Sequence, residues 1–183
     1  MGQAPREASR VRPPSPRKAR RAVIDLLDIT GAIPRGAPLA GLDLGTKTIG
    51  VAISDTSLMI ASPLALIRRE KFTQDAETLF ALMTERGAGG LVIGLPVNMD
   101  GTEGPKCQSA RAFARNLLRL NGLPIAFWDE RLSSVAVNRV LIDEADTTRA
   151  RRAQVVDKMA AAWILQGALE RLRGAGSPPK VAL

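Results

Sequence analysis

Apolar residues in the first half of this chain recur with a period of two, which predicts β-strands rather than helices. Leu39–Leu44 and Thr48–Ser54 alternate in this way on either side of a tight turn at 45–47, and residues 60–67 form a third such segment. Two glycines within residues 43–54 are a further argument against a helix there. The three segments together predict an antiparallel ribbon that begins with a hairpin.

Later in the chain the period becomes 3.6, and helices alternate with short strands. The predicted elements are a helix over 72–86, a strand over 91–93, a helix near 110–118, a strand over 124–128, a helix from 133 or 134 to 141, and a last helix over about 153–173. The strand at 91–93 is wholly apolar, as expected for a parallel strand that is covered on both faces. We therefore predict an α/β fold, with a mixed sheet of antiparallel hairpin-led strands plus parallel strands and helices on both faces.

Composition divides the chain into a basic head and linker at 1–38, a folded domain at 39–174 and a flexible tail at 175–183. Residues 1–21 contain the single acid Glu7 and carry a net charge of +6, whereas the whole chain carries +8. The basic residues of this segment are Arg6, Arg10, Arg12, Arg17, Lys18, Arg20 and Arg21. We expect the head to be disordered and to attract phosphate-bearing polymers without sequence preference. A solvated tail without a partner, or an organelle transit peptide, would have a similar composition.

Missing residue types exclude several chemistries. The chain has no histidine, which excludes Ser-His and Cys-His nucleophiles and most zinc sites, so hydrolysis would depend on carboxylates, lysine or a metal. Cys107 is the one cysteine and has no partner for an intramolecular disulfide, which fits a reducing compartment. No run of 18 apolar residues and no secretory signal is present, so we expect a cytoplasmic protein that does not span a membrane.

Three acidic positions lie among apolar residues, where a carboxylate is costly unless it is paired or bound to metal. Asp43 points to the opposite face of its strand from the two leucines that flank it. Asp157 lies on the apolar stripe of the last helix. The strand at 124–128 is followed by Asp129 and Glu130, and strand alternation alone does not decide which of the two faces a site.

These acids have two interpretations. Individually, Asp43 would be a turn residue, Asp157 would favour the helix dipole, and the charged residues 129–131 would form a surface ion pair. Together, they would form a binding site for Mg²⁺ or Mn²⁺, because those cations prefer carboxylate oxygens and because ligands of open α/β sheets gather beyond the carboxyl ends of strands.

Four blocks of sequence, in order along the chain, resemble the YqgF/RuvX family of Holliday-junction-resolvase-like ribosomal-RNA nucleases. The blocks are residues 41–55 (GLDLGTKTIGVAISD), 92–104 (VIGLPVNMDGTEG), 129–134 (DERLSS) and 157–166 (DKMAAAWILQ). The resemblance covers about residues 39–172, and the ordered occurrence of four motifs makes it specific.

The resemblance implies a ribonuclease-H-like fold in which three acids hold Mg²⁺ or Mn²⁺. The matching positions are Asp43, Glu130 and Asp157, as catalytic residues and as metal ligands, which selects Glu130 over Asp129. The resemblance also implies a nuclease that processes the 5′ end of pre-16S ribosomal RNA in ribosome biogenesis, by two-metal hydrolysis of phosphodiester bonds. Thr48 departs from the family pattern, since many relatives carry Arg there.

Basic residues near these acids are candidates for binding nucleic acid. They are Lys47 in the hairpin turn, Arg131 after the strand, and Arg149, Arg151 and Arg152 just before the last helix. Solvated surface charge would explain each of them equally well. The loop at 98–104 is predicted to close over substrate, to start a helix with Thr102 as its cap, or to do both.

Other functions stay open. Residues 43–46 also resemble the first phosphate loop of actin-like and sugar-kinase ATPases, but 183 residues are too few for the two such domains that clamp a nucleotide. A nuclease of this type that acts on branched DNA, and an RNA-binding factor whose acidic site is weak or silent, are the closer alternatives. We expect a nucleic-acid partner, with a ribosomal RNA precursor first among the candidates, and either a monomer or a homodimer.

Overall fold

The computed structural model of the protein describes residues 22–132 and 149–176, with their side chains apart from those of residues 132, 149–158 and 176. Within these ranges the strands are β1 (Val23–Ile24), β2 (Leu39–Leu44), β3 (Thr48–Ser54), β4 (Ala61–Arg68), β5 (Gly90–Leu95) and β6 (Ile125–Asp129). The α-helices are α1 (Ile29–Ala32), α2 (Phe72–Arg86), α3 (Pro105–Leu120) and α4 (Arg149–Gly176), and 3-10 turns occupy Leu26–Asp28 and Glu130–Leu132. The predicted helix that ends at 141 lies outside the described residues.

These strands form one mixed sheet in the order β1-β6-β5-β2-β3-β4. The hairpin β2–β3 and the following β4 are antiparallel, whereas β2 pairs in parallel with β5, β5 with β6, and β6 with β1. An antiparallel meander joined to parallel strands is the arrangement that we predicted from the hydrophobic pattern. The predicted α/β fold with a mixed sheet is confirmed.

Local sequence explains where the helices and the first hairpin begin and end. α2 ends at Gly87, whose φ of +66° is a left-handed conformation that glycine adopts without strain. α3 begins with Pro105 at its first position, where a backbone N–H would have had no helical partner. The turn after β2 needs Gly45, because a Cβ at that position would lie 2.9 Å from the carbonyl oxygen of Thr48.

Helices cover both faces of the sheet, and a hydrophobic cluster lies between the sheet and each helical layer. Leu42 and Ile93 belong to the cluster that includes the apolar residues of α2 and α3. Leu39 and Val92 belong to the cluster that includes the apolar residues of α4. Residues at odd positions of β2 therefore face α4, and residues at even positions face α2 and α3.

α4 is a helix of 28 residues that packs closely against the sheet. Glycines make this close packing possible, because a Cβ on Gly41 would lie 2.6 Å from Leu165 Cβ and one on Gly167 would lie 3.0 Å from the ring of Trp128. The helix extends beyond the predicted range of 153–173 at both ends. Neither α4 nor another helix in the described ranges has the length and apolar character that a membrane crossing needs.

The first described element, β1 at Val23–Ile24, lies ahead of residue 39, where we placed the start of the domain. β1 pairs with β6 through Val23 and Ile125, and Ile29 is completely buried in the cluster against α4. The sequence did not predict this segment because a two-residue strand and a four-residue helix are too short to show a period. The segment is held against the domain by the burial of the apolar side chains of Leu26 and Ile29.

Candidate active site

Asp43 lies near the carboxyl end of β2, on the face that α4 covers. Leu39 belongs to the cluster against α4, and Gly41 lies directly against Leu165. Because side chains of a strand alternate between its two faces, Asp43 is directed to the same face as these two residues. The residue is half-buried.

Glu130 reaches the same region from the end of β6. Its carboxylate lies over Gly94 of β5, since a Cβ on Gly94 would be 2.6 Å from Glu130 Oε1 and 2.5 Å from Ile164 Cδ1. Leu42 pairs with Ile93, so Gly94 is next to Asp43 on a neighbouring strand about 4.8 Å away. The missing side chain of Gly94 provides the space through which the carboxylate of Glu130 approaches β2.

Asp43 and Glu130 line one cleft of about 300 Å³ at the carboxyl ends of β2 and β5. The other residues that line it are Leu44, Gly45, Thr46, Arg69, Gly94, Pro96, Lys106, Ser109 and Ala110. A larger cleft of about 830 Å³ lies at the opposite end of these strands, beside Gly89 and Pro124, and no carboxylate lines it. Ligands of open α/β sheets bind at the carboxyl ends of strands, so we place the candidate site in the smaller cleft.

Asp157 lies in α4, but its side chain is outside the described residues, as are those of Arg149, Arg151 and Arg152. Residue 157 is one helical turn before Ala161, whose carbonyl oxygen would lie 3.0 Å from a Cβ on Gly41. Among the side chains that are described, no group of three acids or other metal ligands occurs. The structure thus brings together Asp43 and Glu130, two of the three predicted acids.

Two of the predicted phosphate contacts, Lys47 and Arg131, do not line the cleft. Lys47 is exposed in the hairpin turn. Arg131 pairs with Asp129, with 2.7 Å between Nη2 and Oδ2, and this hydrogen-bonded guanidinium holds the pKa of Asp129 below its usual value. The ion pair that we considered for residues 129–131 is therefore present between Asp129 and Arg131. Asp129 does not line the cleft, whereas Glu130 does.

The loop at 98–104 is held together by its own hydrogen bonds. Asp100 Oδ1 accepts from the N–H of Thr102 at 2.9 Å and from its hydroxyl at 2.6 Å, and these bonds lower the pKa of Asp100. The N–H of Asn98 donates to the Thr102 carbonyl, and Gly101 makes the turn with a φ of +87°. The prediction that Thr102 caps α3 is wrong, because its hydroxyl is used within the loop and the helix begins after Gly104 without a side-chain cap.

Sequence reasoning did not single out three residues of this cleft, namely Arg69, Gly94 and Lys106. Arg69 follows β4 and Lys106 is in the first turn of α3, so both are far in sequence from the acids and belong to no spacing pattern. Gly94 interrupts an otherwise apolar run at 91–95, and that interruption was a signal of close approach by another group.

Comparisons with known proteins agree on one family. The family model of RuvX, described as "Holliday junction resolvase", matches residues 37–171. Two relatives named "Putative pre-16S rRNA nuclease", from Phenylobacterium zucineum and Caulobacter vibrioides, are 71% and 66% identical over 153 residues, which cover 83% of this chain and 98% of each relative.

A solved structure of T. thermophilus RuvC in complex with Holliday junction substrate covers 75% of this chain and 96% of that chain, with 14% identity and a TM-score of 0.45. A likeness at that level carries no argument about function. The family model and the curated relatives each cover well over half of the residues, so this chain belongs to the RuvX family.

Proposed function

We propose that this chain is a metal-dependent nuclease that hydrolyses phosphodiester bonds at the 5′ end of pre-16S ribosomal RNA. The observation that carries the proposal is that Asp43 on β2 and Glu130 directly after β6 line one cleft at the carboxyl edge of the sheet. The names of the relatives, which are 60–71% identical to this chain, support the substrate class. Membership in the RuvX family supports the reaction class.

The residues of the cleft fit a divalent cation. Asp43 and Glu130 supply carboxylate oxygens, which are the donors that Mg²⁺ and Mn²⁺ prefer. Gly94 leaves a space beside Glu130 Oε1 that any other side chain would fill. We include Asp157 as the third ligand, because it lies one turn before Ala161 on the helix that covers the same face of the sheet.

The chain's contribution to hydrolysis is to hold oxygen donors in fixed positions. Asp43 is fixed by a strand that pairs on both sides, with β3 and with β5. Glu130 is fixed by the 3-10 turn that directly follows β6. Bound Mg²⁺ or Mn²⁺ would supply Lewis acidity toward phosphate oxygens and would lower the pKa of an attacking water. This chemistry needs no histidine, which agrees with the composition.

The direct test compares cleavage of a 5′-labelled precursor RNA by wild type, Asp43→Asn and Glu130→Gln, with Mn²⁺ or Mg²⁺ and with EDTA. Wild type should cut only with metal. Each variant should lose more than about 100-fold in rate, since even outer-shell changes at metal sites cost 10–100-fold. Asp28→Asn is the matched control, because Asp28 is an exposed carboxylate that does not line the cleft.

Metal binding gives a second measurement that does not depend on activity. Mn²⁺ should raise the Tm of wild type and of Asp28→Asn, because a ligand that binds only the folded state stabilises it. The Tm of Asp43→Asn should respond much less. Cleavage by Asp43→Asn at the wild-type rate would contradict the proposal.

A second substrate is favoured by one observation, the description of the matching family model as "Holliday junction resolvase". The same assay with a labelled four-way DNA junction distinguishes the two substrates. Faster cleavage of the junction than of the RNA would assign the chain to branched DNA. Binding of RNA without cleavage of either substrate would assign it to an RNA-binding factor.

A further inference from the structure

Two cations, Arg69 and Lys106, line the acidic cleft and belong to different parts of the fold. Arg69 follows β4, which lies two strands from β2 in the sheet, whereas Lys106 belongs to α3 and is on the layer that faces away from α4. Neither residue forms an ion pair within the described ranges. A cleft that is lined by two cations as well as by two candidate metal ligands suits a substrate with several negative charges.

Arg69 is fixed to the hairpin turn that follows Asp43. Its Nη1 donates to the carbonyl of Gly45 at 2.8 Å, and its backbone N–H donates to the carbonyl of Lys47 at 2.9 Å. A guanidinium has five N–H donors, so it can keep the bond to Gly45 and contact a phosphate at the same time. The positive charge is thereby held two residues from the candidate metal ligand before any substrate arrives.

Lys106 occupies an unusual place for a cation. It lies in the first turn of α3, which contains no acid and has no side-chain cap, although the helix dipole favours negative charge there. Glu103, the nearest acid before the helix, is paired with Arg111 through a bond of 2.8 Å from Nε to Oε2. A lysine in the first turn of a helix is unfavourable because its charge repels the positive end of the helix dipole. Such unfavourable placements are expected where a bound ligand supplies the compensating negative charge.

We propose that Arg69 and Lys106 bind phosphate groups of the nucleic acid on either side of the phosphodiester that is cleaved. This inference rests on the proposed function and adds two phosphate contacts that the sequence analysis did not name. The candidates Arg149, Arg151 and Arg152, whose side chains lie outside the described residues, stay predictions. Lys47 and Arg131 are not among the residues that line the cleft, and Arg131 is paired with Asp129, whereas Arg69 and Lys106 line it. Arg69 and Lys106 touch the substrate backbone and therefore set affinity and position without reading its sequence.

The test measures binding of a fluorescein-labelled single-stranded RNA by anisotropy, in EDTA so that no cleavage occurs, at several KCl concentrations. Arg69→Ala and Lys106→Ala should each reduce the steepness of log K against log salt by about 0.7, the value for one phosphate contact on a single strand. Arg119→Ala is the matched control, because it removes one charge from the same helix about 20 Å from Lys106. Its salt dependence should equal that of wild type.

A purely structural role for Arg69 gives a different result. Loss of the bond to Gly45 alone would lower the Tm of Arg69→Ala and leave the salt dependence unchanged, which would overturn the proposal. Arg69→Lys should restore the salt dependence, because it keeps the charge. An equal effect of Arg119→Ala would also overturn the proposal, since it would show that a cation far from the cleft contributes as much to RNA binding as one that lines it.

The nuclease proposal and the phosphate-contact proposal can be contradicted independently of each other. With RNA, metal and cleavage, Lys106→Ala should raise KM more than it lowers kcat, because a contact to a flanking phosphate is present before and during the reaction. If wild type cuts neither RNA nor DNA, the nuclease assignment fails while the salt experiment still decides the phosphate contacts. If wild type cuts RNA and both variants keep the wild-type salt dependence, the phosphate assignment fails while the nuclease assignment holds.

Discussion

Asp129 and Glu130 are adjacent acids whose different neighbours give them different chemistry. Asp129 is the last residue of β6 and is paired with Arg131, which lowers its pKa. Glu130 is the first residue of a 3-10 turn, and its carboxylate lies over Gly94. Strand alternation could not choose between them because the period of two ends at Asp129. The family resemblance selected Glu130, and the structure supplies the physical reason that its side chain faces the cleft.

Asp55 is a residue whose charge stabilises a turn. Its Oδ1 accepts from the N–H groups of Met59 at 2.7 Å and Ile60 at 2.8 Å, and Ser57 donates to its other oxygen. Hydrogen bonds from Ile60, Ser57 and Met59 lower the pKa of Asp55 from 3.8 to about 2. The ionised form is therefore favoured in the folded protein relative to the unfolded chain.

We expect Asp55→Asn to lower the Tm by a few degrees at pH 7. A depressed carboxyl pKa contributes stability that is fully present above pH 3.8 and is lost as the pH falls toward 2. The difference in Tm between wild type and variant should therefore shrink over that interval, measured by circular dichroism. Asp28→Asn, at an exposed acid, is the control. A difference that stays constant from pH 6 to pH 2 would show that the charge of Asp55 is not involved.

α4 packs closely against the sheet at three glycines that belong to different elements. Gly41 in β2 and Gly94 in β5 lie beneath the helix, and Gly167 of the helix lies against the ring of Trp128. The sequence predicted α4 and its apolar stripe from the 3.6 period. It did not predict which strand residues the helix would contact, because the contacting residues lie far apart in sequence, as Gly41 and Leu165 do.

Gly41→Ala should destabilise the fold by about 1–3 kcal/mol, the usual cost of extra volume in a packed core. The added Cβ would lie 2.6 Å from Leu165 Cβ and 3.0 Å from the Ala161 carbonyl oxygen, so α4 would have to move. Gly174→Ala is the matched control in α4, with no atom within 4 Å of its new Cβ, and it should be neutral or stabilising by up to about 1 kcal/mol. Urea unfolding measures both. Equal stability of Gly41→Ala and wild type would contradict the close packing.

Elements with a clear period were predicted well, and elements without one were not. The helix at 72–86 and the strands around the first hairpin lie where the pattern placed them. β1 was missed because two residues show no alternation, and α3 was predicted too short because its first turn is polar. Asp43 was predicted as a site residue from the alternation of side chains along its strand. Arg69 and Lys106 could be identified as cleft residues only from the tertiary structure.

The whole molecule divides its charge unequally between the first 21 residues and the remainder. The head carries +6 of the total of +8, so the remainder is close to neutral. Among the described side chains of the remainder, Arg69 and Lys106 are the cations that line the cleft. Attraction of a nucleic acid from a distance would then depend on the head, and placement at the cleft would depend on Arg69 and Lys106.

Removal of residues 1–21 should weaken RNA binding most at low salt and reduce the steepness of its salt dependence by about 0.7 for each phosphate contact that is lost. Anisotropy titrations between low and high KCl measure this. A full-length variant with glutamine at the seven basic positions of the head controls for chain length and should behave like the deletion. The cleavage rate at saturating RNA should stay at the wild-type value. An unchanged salt dependence would leave the head without this role.

The order of the strands has a consequence for biosynthesis. Within the described ranges, Asp43 is on the first long strand and Glu130 follows the last strand, and β5 lies between β2 and β6 in the sheet. A chain that leaves the ribosome from its amino end therefore exposes Asp43 long before β6 can insert beside β5. Asp43 and Glu130 cannot line one cleft until then, so under the proposed function a partly synthesised chain would not yet hold the metal site.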